Sequence, residues 1–186
     1  MTTEASTLTR RQALRLTGGG LAGLAFSGWA SPGIAQVSGR IDIHHHWHPP
    51  PIADAFGGLS IGASWPGGAW TEERALSLMD RFGIQTGILS VRNPRERISA
   101  PQCREVNELA ARIVGDRPER FGAFAMLPQF NPDRAADEAA YALDSLDLDG
   151  VALNASADNV YLGAPALDPL MAVLHEREAV VLIHPT

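Results

Sequence analysis

The 186-residue sequence contains no lysine; its fifteen basic residues are all arginine. A Schiff-base lysine is therefore excluded within this stretch. A single cysteine, Cys103, rules out an internal disulfide and leaves the redox compartment open; on a helical pattern it reads as an inert thiol. Basic residues are outnumbered by 21 acidic ones, for a net charge of -6, and no basic stripe is present. Nucleic acid and anionic membrane are thus poor partners. Long hydrophobic runs are missing too: no stretch reaches the roughly 20 apolar residues a spanning helix needs. Nor does a glycine-rich phosphate loop follow the first strand-like segment, which weakens a dinucleotide site.

What is present is a regular alternation of patterns in a chain that is 45% apolar, enough for one globular core. Thr71 followed by Glu72, Glu73 and Arg74 reads as an N-cap and acidic first turn, with Leu76, Met79 and Phe82 as an apolar stripe closed by Gly83. A buried strand is predicted over 84–91, then a helix over 101–116 with Val106, Leu109, Ala110, Ile113 and Val114 inward. A strand over 121–127 stops at Pro128, and Pro132 opens a helix with the stripe Ala136, Ala139, Leu143 and Leu146. A strand over 150–155, a helix over 167–178 and a strand over 179–184 complete the series. With a first strand at 41–46, the order is five strands joined by four helices, an α/β chain with a parallel sheet and right-handed crossovers. An open doubly wound sheet and a (β/α)8 barrel both fit this order.

Chemistry concentrates in Ile41-Asp42-Ile43-His44-His45-His46-Trp47-His48, which holds four of the six histidines. Side chains alternate across a strand, so even spacing places Asp42, His44 and His46 on one face and Ile41, Ile43, His45 and Trp47 on the other. Two imidazoles at i and i+2 on one face suit a divalent cation of the zinc class. A solvated histidine-rich loop is the bland alternative. Against it stands His184, a histidine that ends another strand-like run before Pro185. His44, His46 and His184 would all lie at strand C-termini, where barrels gather their ligands. The remaining histidine, His175, falls within the last helix as a surface residue. Between Pro49 and Trp70 a segment rich in Gly, Pro and Trp has no period and reads as a long loop, folded over the mouth of a site or serving as a structural flap.

These residues resemble a known family. Ile41-Asp42-Ile43-His44-His45-His46 matches the I-D-x-H-x-H opening of the amidohydrolase superfamily. Pro49-Pro50 with Val181-Leu182-Ile183-His184-Pro185 is similar to its decarboxylase branch, which includes aminocarboxymuconate-semialdehyde, resorcylate and methylsalicylate decarboxylases. The resemblance runs from about Arg40 to the last residue. It implies a truncated TIM-type (β/α)8 barrel: a complete one needs about 250 residues, so residues 37–186 are expected to be its N-terminal portion, cut short. It implies one divalent metal ion, zinc by expectation, held by His44, His46 and His184, with a strand-8 aspartate and a strand-6 acid/base histidine expected beyond Thr186. Other amidohydrolases bridge two metals with a carbamylated lysine. Asn154 stands where those binuclear relatives have it, so the site is expected to be mononuclear, although Asn154 also suits a plain turn.

The implied activity is decarboxylation of a small aromatic or unsaturated carboxylic acid, a carbon–carbon lyase reaction. Arg92, Gln129 and Asn154, at or just past strand ends, are the candidate substrate-binding residues, with Arg92 either a carboxylate anchor or the cap of a surface turn. Two alternatives stay open: a hydrolase or lactonase on the same scaffold, and a non-catalytic, metal-binding half-barrel. Purified residues 37–186 are expected to be inactive, and oligomeric through unpaired strand edges or partly unfolded.

Residues 1–36 carry a separate message. Thr9-Arg10-Arg11-Gln12-Ala13-Leu14 resembles a twin-arginine export signal, followed by a mild apolar stretch and small residues suited to cleavage. The processed protein is then expected to be periplasmic or secreted, with no membrane anchor after processing.

Overall fold

Residues 39–52, 70–91 and 98–185 are described by the computed structural model. The export signal expected at 1–36, most of the loop after Pro49, and Arg92 lie outside them. In chain order the described elements are β1 (Arg40–His46), α1 (Glu72–Phe82), β2 (Ile84–Ser90), α2 (Ala100–Asp116), β3 (Phe121–Met126), α3 (Pro132–Asp144), β4 (Gly150–Asn154), a hairpin of β5 (Ser156–Ala157) and β6 (Val160–Tyr161), α4 (Asp168–Glu176) and β7 (Val181–His184).

Local chemistry sets the helix boundaries. The Thr71 hydroxyl accepts from the Arg74 amide at the start of α1, and Gly83 ends that helix in the left-handed region at φ 65°. Ser99 and Gln102 form a reciprocal capping box on α2. Asn131 caps α3, with Pro132 in its first turn. The new feature is the β5–β6 hairpin, whose turn residues Asp158 and Asn159 sit at φ 49° and 60°. Both central residues at positive φ, on Asp and Asn, are the chemistry of a two-residue hairpin.

One five-stranded sheet runs in the order β1-β2-β3-β4-β7, and every neighbouring pair is parallel. The main core lies between the sheet and the helices, built from residues such as Met79, Leu89, Val106, Phe121, Ala139, Leu153 and Leu170. A smaller cluster of Ile88, Phe124 and Ala152, with Val180 and Leu182 against it, covers the other face. Apolar residues on both faces explain why the central strands read as continuous apolar runs.

The sheet is strongly curled. Flat, its two outer strands would stand about 19 Å apart, four intervals of ~4.8 Å. Yet the rings of His44 on β1 and His184 on β7 lie 5.2 Å apart between centroids, and His46 and His184 5.4 Å. Only an arc, with the smaller cluster on its concave side, brings the edges that close. An arc of parallel strands with helices outside is part of a barrel wall, and an open doubly wound sheet is excluded. On its outer strands Ile41, Ile43, Val181 and Ile183 are 37–56% exposed.

Two details differ from the sequence pattern. Phe82, placed in the α1 stripe by its spacing, is 53% exposed, and Ala75 is buried beside Met79 instead. Between α2 and α3 a buried carboxylate, Glu138, accepts from Arg104 Nε and Asn107 Nδ2, each at 2.8 Å. Asn107 also brackets Met126, donating to its carbonyl at 2.9 Å and accepting from its amide at 2.8 Å. Polar residues on an inward helical face are paired this fully because an unpaired buried group is costly.

Candidate metal centre

Parallel strands bring their C-terminal ends to one edge of the sheet, and three histidines meet there. One imidazole nitrogen from each of His44, His46 and His184 lies within 4.8 Å of the other two. His44 Nε2 faces His46 Nε2 at 2.7 Å. Two nitrogens bound at about 2.1 Å to one zinc-class ion are at most about 4.2 Å apart. Small side-chain rotations therefore suffice for all three to reach a common point.

The tautomer of His184 suits that use. Its Nδ1 lies 2.6 Å from the Pro185 carbonyl, an acceptor only, so Nδ1 carries the proton and Nε2 presents its lone pair. Orienting one ring nitrogen through a hydrogen bond from the other is how ligating histidines are commonly fixed. His44 is exposed and the other two are half-buried, open enough for an ion and a small molecule to enter.

Even alternation predicts Asp42 on the histidine face, and the structure places it on the opposite one. In the β1–β2 register, Asp42 stands opposite Gly87 and His45 opposite Leu89. Three steps on β1 thus match two on β2, so β1 carries an extra residue, a bulge. Asp42 and His45 then share the helix-facing side, where Asp42 Oδ2 and His45 Nδ1 are 3.1 Å apart. Trp70 Nε1 donates to His45 Nε2 at 3.5 Å. With Nε2 accepting, Nδ1 carries the proton and donates to the carboxylate. The Asp42 carboxyl is held below its ordinary range, first by this bond from His45, against the opposing effect of burial. Both ring nitrogens of His45 are engaged away from the cluster. His48 is half-buried and not among the converging nitrogens.

Of the other candidates, Asn154 ends β4 directly opposite His184 in the register. Gln129 is buried and makes a reciprocal pair with it. Gln129 Nε2 donates to the Asn154 carbonyl and Gln129 Oε1 accepts from the Asn154 amide, both at 2.9 Å. The Gln129 amide thus extends the β3–β4 ladder past the strand ends and pins the residue beside His184. Arg92 is outside the described residues. Cys103 is fully buried, its thiol pushed up to about 12 by burial and then by the Glu138 charge.

An amidohydrolase family model matches residues 41–186. The chain is 44% identical over 161 residues to the decarboxylase yanB of Aspergillus niger, covering 79% of this chain and 43% of that protein. It is 38% identical over 159 residues to the 6-methylsalicylic acid decarboxylase acuB of Aspergillus aculeatus, covering 79% and 48%. Among solved structures, a dihydroxybenzoic acid decarboxylase from a Polaromonas species, crystallised with manganese and the inhibitor 2-nitroresorcinol, superposes with a TM-score of 0.69 at 25% identity. That match covers 81% of this chain and 50% of the other. The chain spans about half the length of the relatives it matches.

Proposed function

We propose that this chain, which belongs to the amidohydrolase family, supplies the metal-binding half of a decarboxylase acting on a small aromatic carboxylic acid. The observation that carries this reading is the convergence of His44, His46 and His184 at the C-terminal edge of the sheet. Similarity to decarboxylases of methylsalicylic and dihydroxybenzoic acids supports the reaction class.

The residues fit a single divalent ion. Three neutral imidazoles form a donor set suited to zinc; the Polaromonas relative holds manganese, and we propose zinc as the first metal to test. When bound, such an ion supplies Lewis acidity toward an oxygen substituent of the substrate. The chain's own contribution is orientation. His184 is held in the Nδ1–H tautomer by the Pro185 carbonyl, and Gln129 fixes Asn154 next to it. The Asn154 carboxamide is the proposed hydrogen-bond partner of a substrate oxygen, and Arg92, following β2, is the proposed partner of the departing carboxylate. Breaking the ring–carboxylate bond releases carbon dioxide and leaves a carbon that takes up a proton. That proton is assigned to no described residue.

Metal binding is tested on the 186-residue chain by titration with zinc and with manganese against a chelator. One equivalent should bind, and His184→Ala should weaken it by at least about tenfold. Equal affinity in that variant would remove His184 from the site. Turnover is tested with the longest polypeptide the reading frame encodes, using 6-methylsalicylate and 2,6-dihydroxybenzoate. Carbon dioxide release supports a lyase, whereas a new carboxylate without carbon dioxide supports the hydrolase alternative.

Residues 1–36 are proposed to direct twin-arginine export, giving a periplasmic or secreted product. A fusion of residues 1–40 to a folded reporter should reach the periplasm and be retained when Arg10 and Arg11 become lysine. Export unaffected by that change would sink the assignment.

A further inference from the structure

The direction in which His44 and His46 point is decided by the extra residue in β1. The N-terminal half of the strand is registered by Ile41 opposite Thr86 and Asp42 opposite Gly87. Counting evenly from there, residues 44 and 46 fall on the same side as Asp42. That side faces the helices: its neighbour His45 packs towards Phe121, at 6.5 Å between ring centroids. A β1 without the bulge would therefore turn both histidines into the helix layer and put His45 on the concave face, since a one-residue slip reverses every side chain beyond it. The bulge sends His44 and His46 to the concave side, where His184 is.

Something must hold an extra residue that the ladder leaves unpaired. The Asp42 carboxylate spans it with both oxygens. Oδ1 accepts from the His44 backbone amide at 3.2 Å, and Oδ2 accepts from His45 Nδ1 at 3.1 Å. The first bond is a local side-chain-to-backbone turn two residues on. The second ties the far side of the bulge to the near side. Room for the His45 ring comes from Gly87, where a Cβ would stand 3.1 Å from Nδ1 and 3.2 Å from Cγ. Beyond the ring, Trp70 closes the pocket with its indole N–H. The Ser90 carbonyl then accepts from the Trp47 amide at 3.2 Å, restoring the ladder.

We propose that Asp42, acting with His45, is a positioning residue for the histidine cluster: its carboxylate staples the β1 bulge and so aims His44 and His46 at His184. The staple does not touch the ion; it selects which face of β1 the ligands occupy. This role rests on the reading of the cluster as a metal site, and the test separates the two.

The 186-residue chain is compared with Asp42→Ala, Asp42→Asn and His45→Phe. Arg104→Ala, which unpairs one oxygen of buried Glu138 between α2 and α3, serves as a control for general destabilisation away from the site. Cobalt(II) is the probe, read by competition affinity and by its visible d–d bands. In a parallel metal-free arm, amide exchange is followed at His44 and the His45 ring tautomer by long-range 1H–15N correlation. Asp42→Ala should weaken cobalt binding by about 10–100-fold, as expected for a group that orients ligands without binding the ion. Its d–d spectrum should change, and exchange at His44 should accelerate. Asp42→Asn, which keeps an oxygen for the His44 amide, should recover part of the affinity. His45→Phe keeps a ring against Gly87 but loses Nδ1, and should fall between the two. Arg104→Ala should leave affinity and spectrum unchanged.

Wild-type affinity and spectrum in Asp42→Ala would overturn the proposal, as would an equal loss in Arg104→Ala. Should Asp42→Ala fail to fold, the isosteric Asp42→Asn carries the same comparison. If the wild-type chain binds cobalt no better than His184→Ala, the metal reading fails. The staple is then decided by the exchange arm alone, where unchanged protection at His44 in Asp42→Asn and His45→Phe would refute it.

Discussion

Gln129 gives the sharpest contrast between two roles for one residue. As a substrate contact, its removal would alter substrate affinity and leave stability alone. The geometry assigns its amide to Asn154 instead, through two hydrogen bonds of 2.9 Å made by a residue only 3% exposed. In Gln129→Ala both the amide and the carbonyl of buried Asn154 lose their partner. Each unsatisfied buried group costs about 1–3 kcal/mol, and water admitted at the strand end recovers some of that. The expected loss is about 2–4 kcal/mol, a large part of the roughly 5–15 kcal/mol that holds a domain folded. Equilibrium urea unfolding followed by far-UV circular dichroism should show a lowered midpoint with an unchanged slope.

Gln129→Glu supplies a signature with a sign. The ionised side chain keeps an acceptor for the Asn154 amide but turns a second oxygen on the Asn154 carbonyl. Protonation restores a donor, so the variant's folded-state pKa lies above the ordinary glutamate value near 4.3. Its stability relative to wild type is therefore highest below about pH 4.3 and is lost as the pH rises through the folded-state value. A Gln129→Ala chain within about 0.5 kcal/mol of wild type, the usual scatter for surface substitutions, and weakened only in substrate affinity, would refute the clamp.

Burial pushes the Cys103 thiol up to about 12, so an aromatic disulfide reagent at pH 8 should label it only as fast as the protein unfolds. Above the unfolded thiol's ordinary value near 8.5, ionisation of the unfolded chain should reduce stability progressively until the pH reaches the folded value; rapid native-state labelling would contradict this. A methyl at Gly150 would fall on the Val180 carbonyl oxygen, which accepts from the Val151 amide at 2.9 Å. Backbone cannot rotate aside, so Gly150→Ala should cost about 1–3 kcal/mol by overpacking and weaken metal binding by disturbing the β4–β7 pairing that seats His184. A lowered urea midpoint and a weaker zinc titration would agree, and an unchanged midpoint would not.

The regular elements were legible because each obeys a local rule. Thr71 and Pro132 mark helix starts through their own hydrogen bonding and fixed φ, and those boundaries fall where the residues put them. Strand ends moved by a residue or two: the strand expected over 179–184 pairs only from Val181. Where burial departs from the stripes, a tertiary partner decides. Glu138 faces inward on α3 because Arg104 and Asn107, on another helix, satisfy both of its oxygens. Spacing along one helix carries no trace of such a pairing. The β5–β6 hairpin did leave a signal, Asp158-Asn159, in a stretch otherwise without period.

The histidine cluster was legible only in part, and the limit is physical. His44 and His46 share a face under even alternation, and they do share one; His184 ends its strand, and parallel pairing carries it to the same edge. What period two cannot express is which face that is relative to the strand's own beginning. The extra residue between Asp42 and His45 makes alternation correct on each side of the bulge and wrong across it, so Asp42 moves to the opposite face. Gly87, on the neighbouring strand and more than forty positions along the chain, is the residue that makes room. A bulge is set by two strands together, and its signature is divided between segments that only the folded sheet brings side by side.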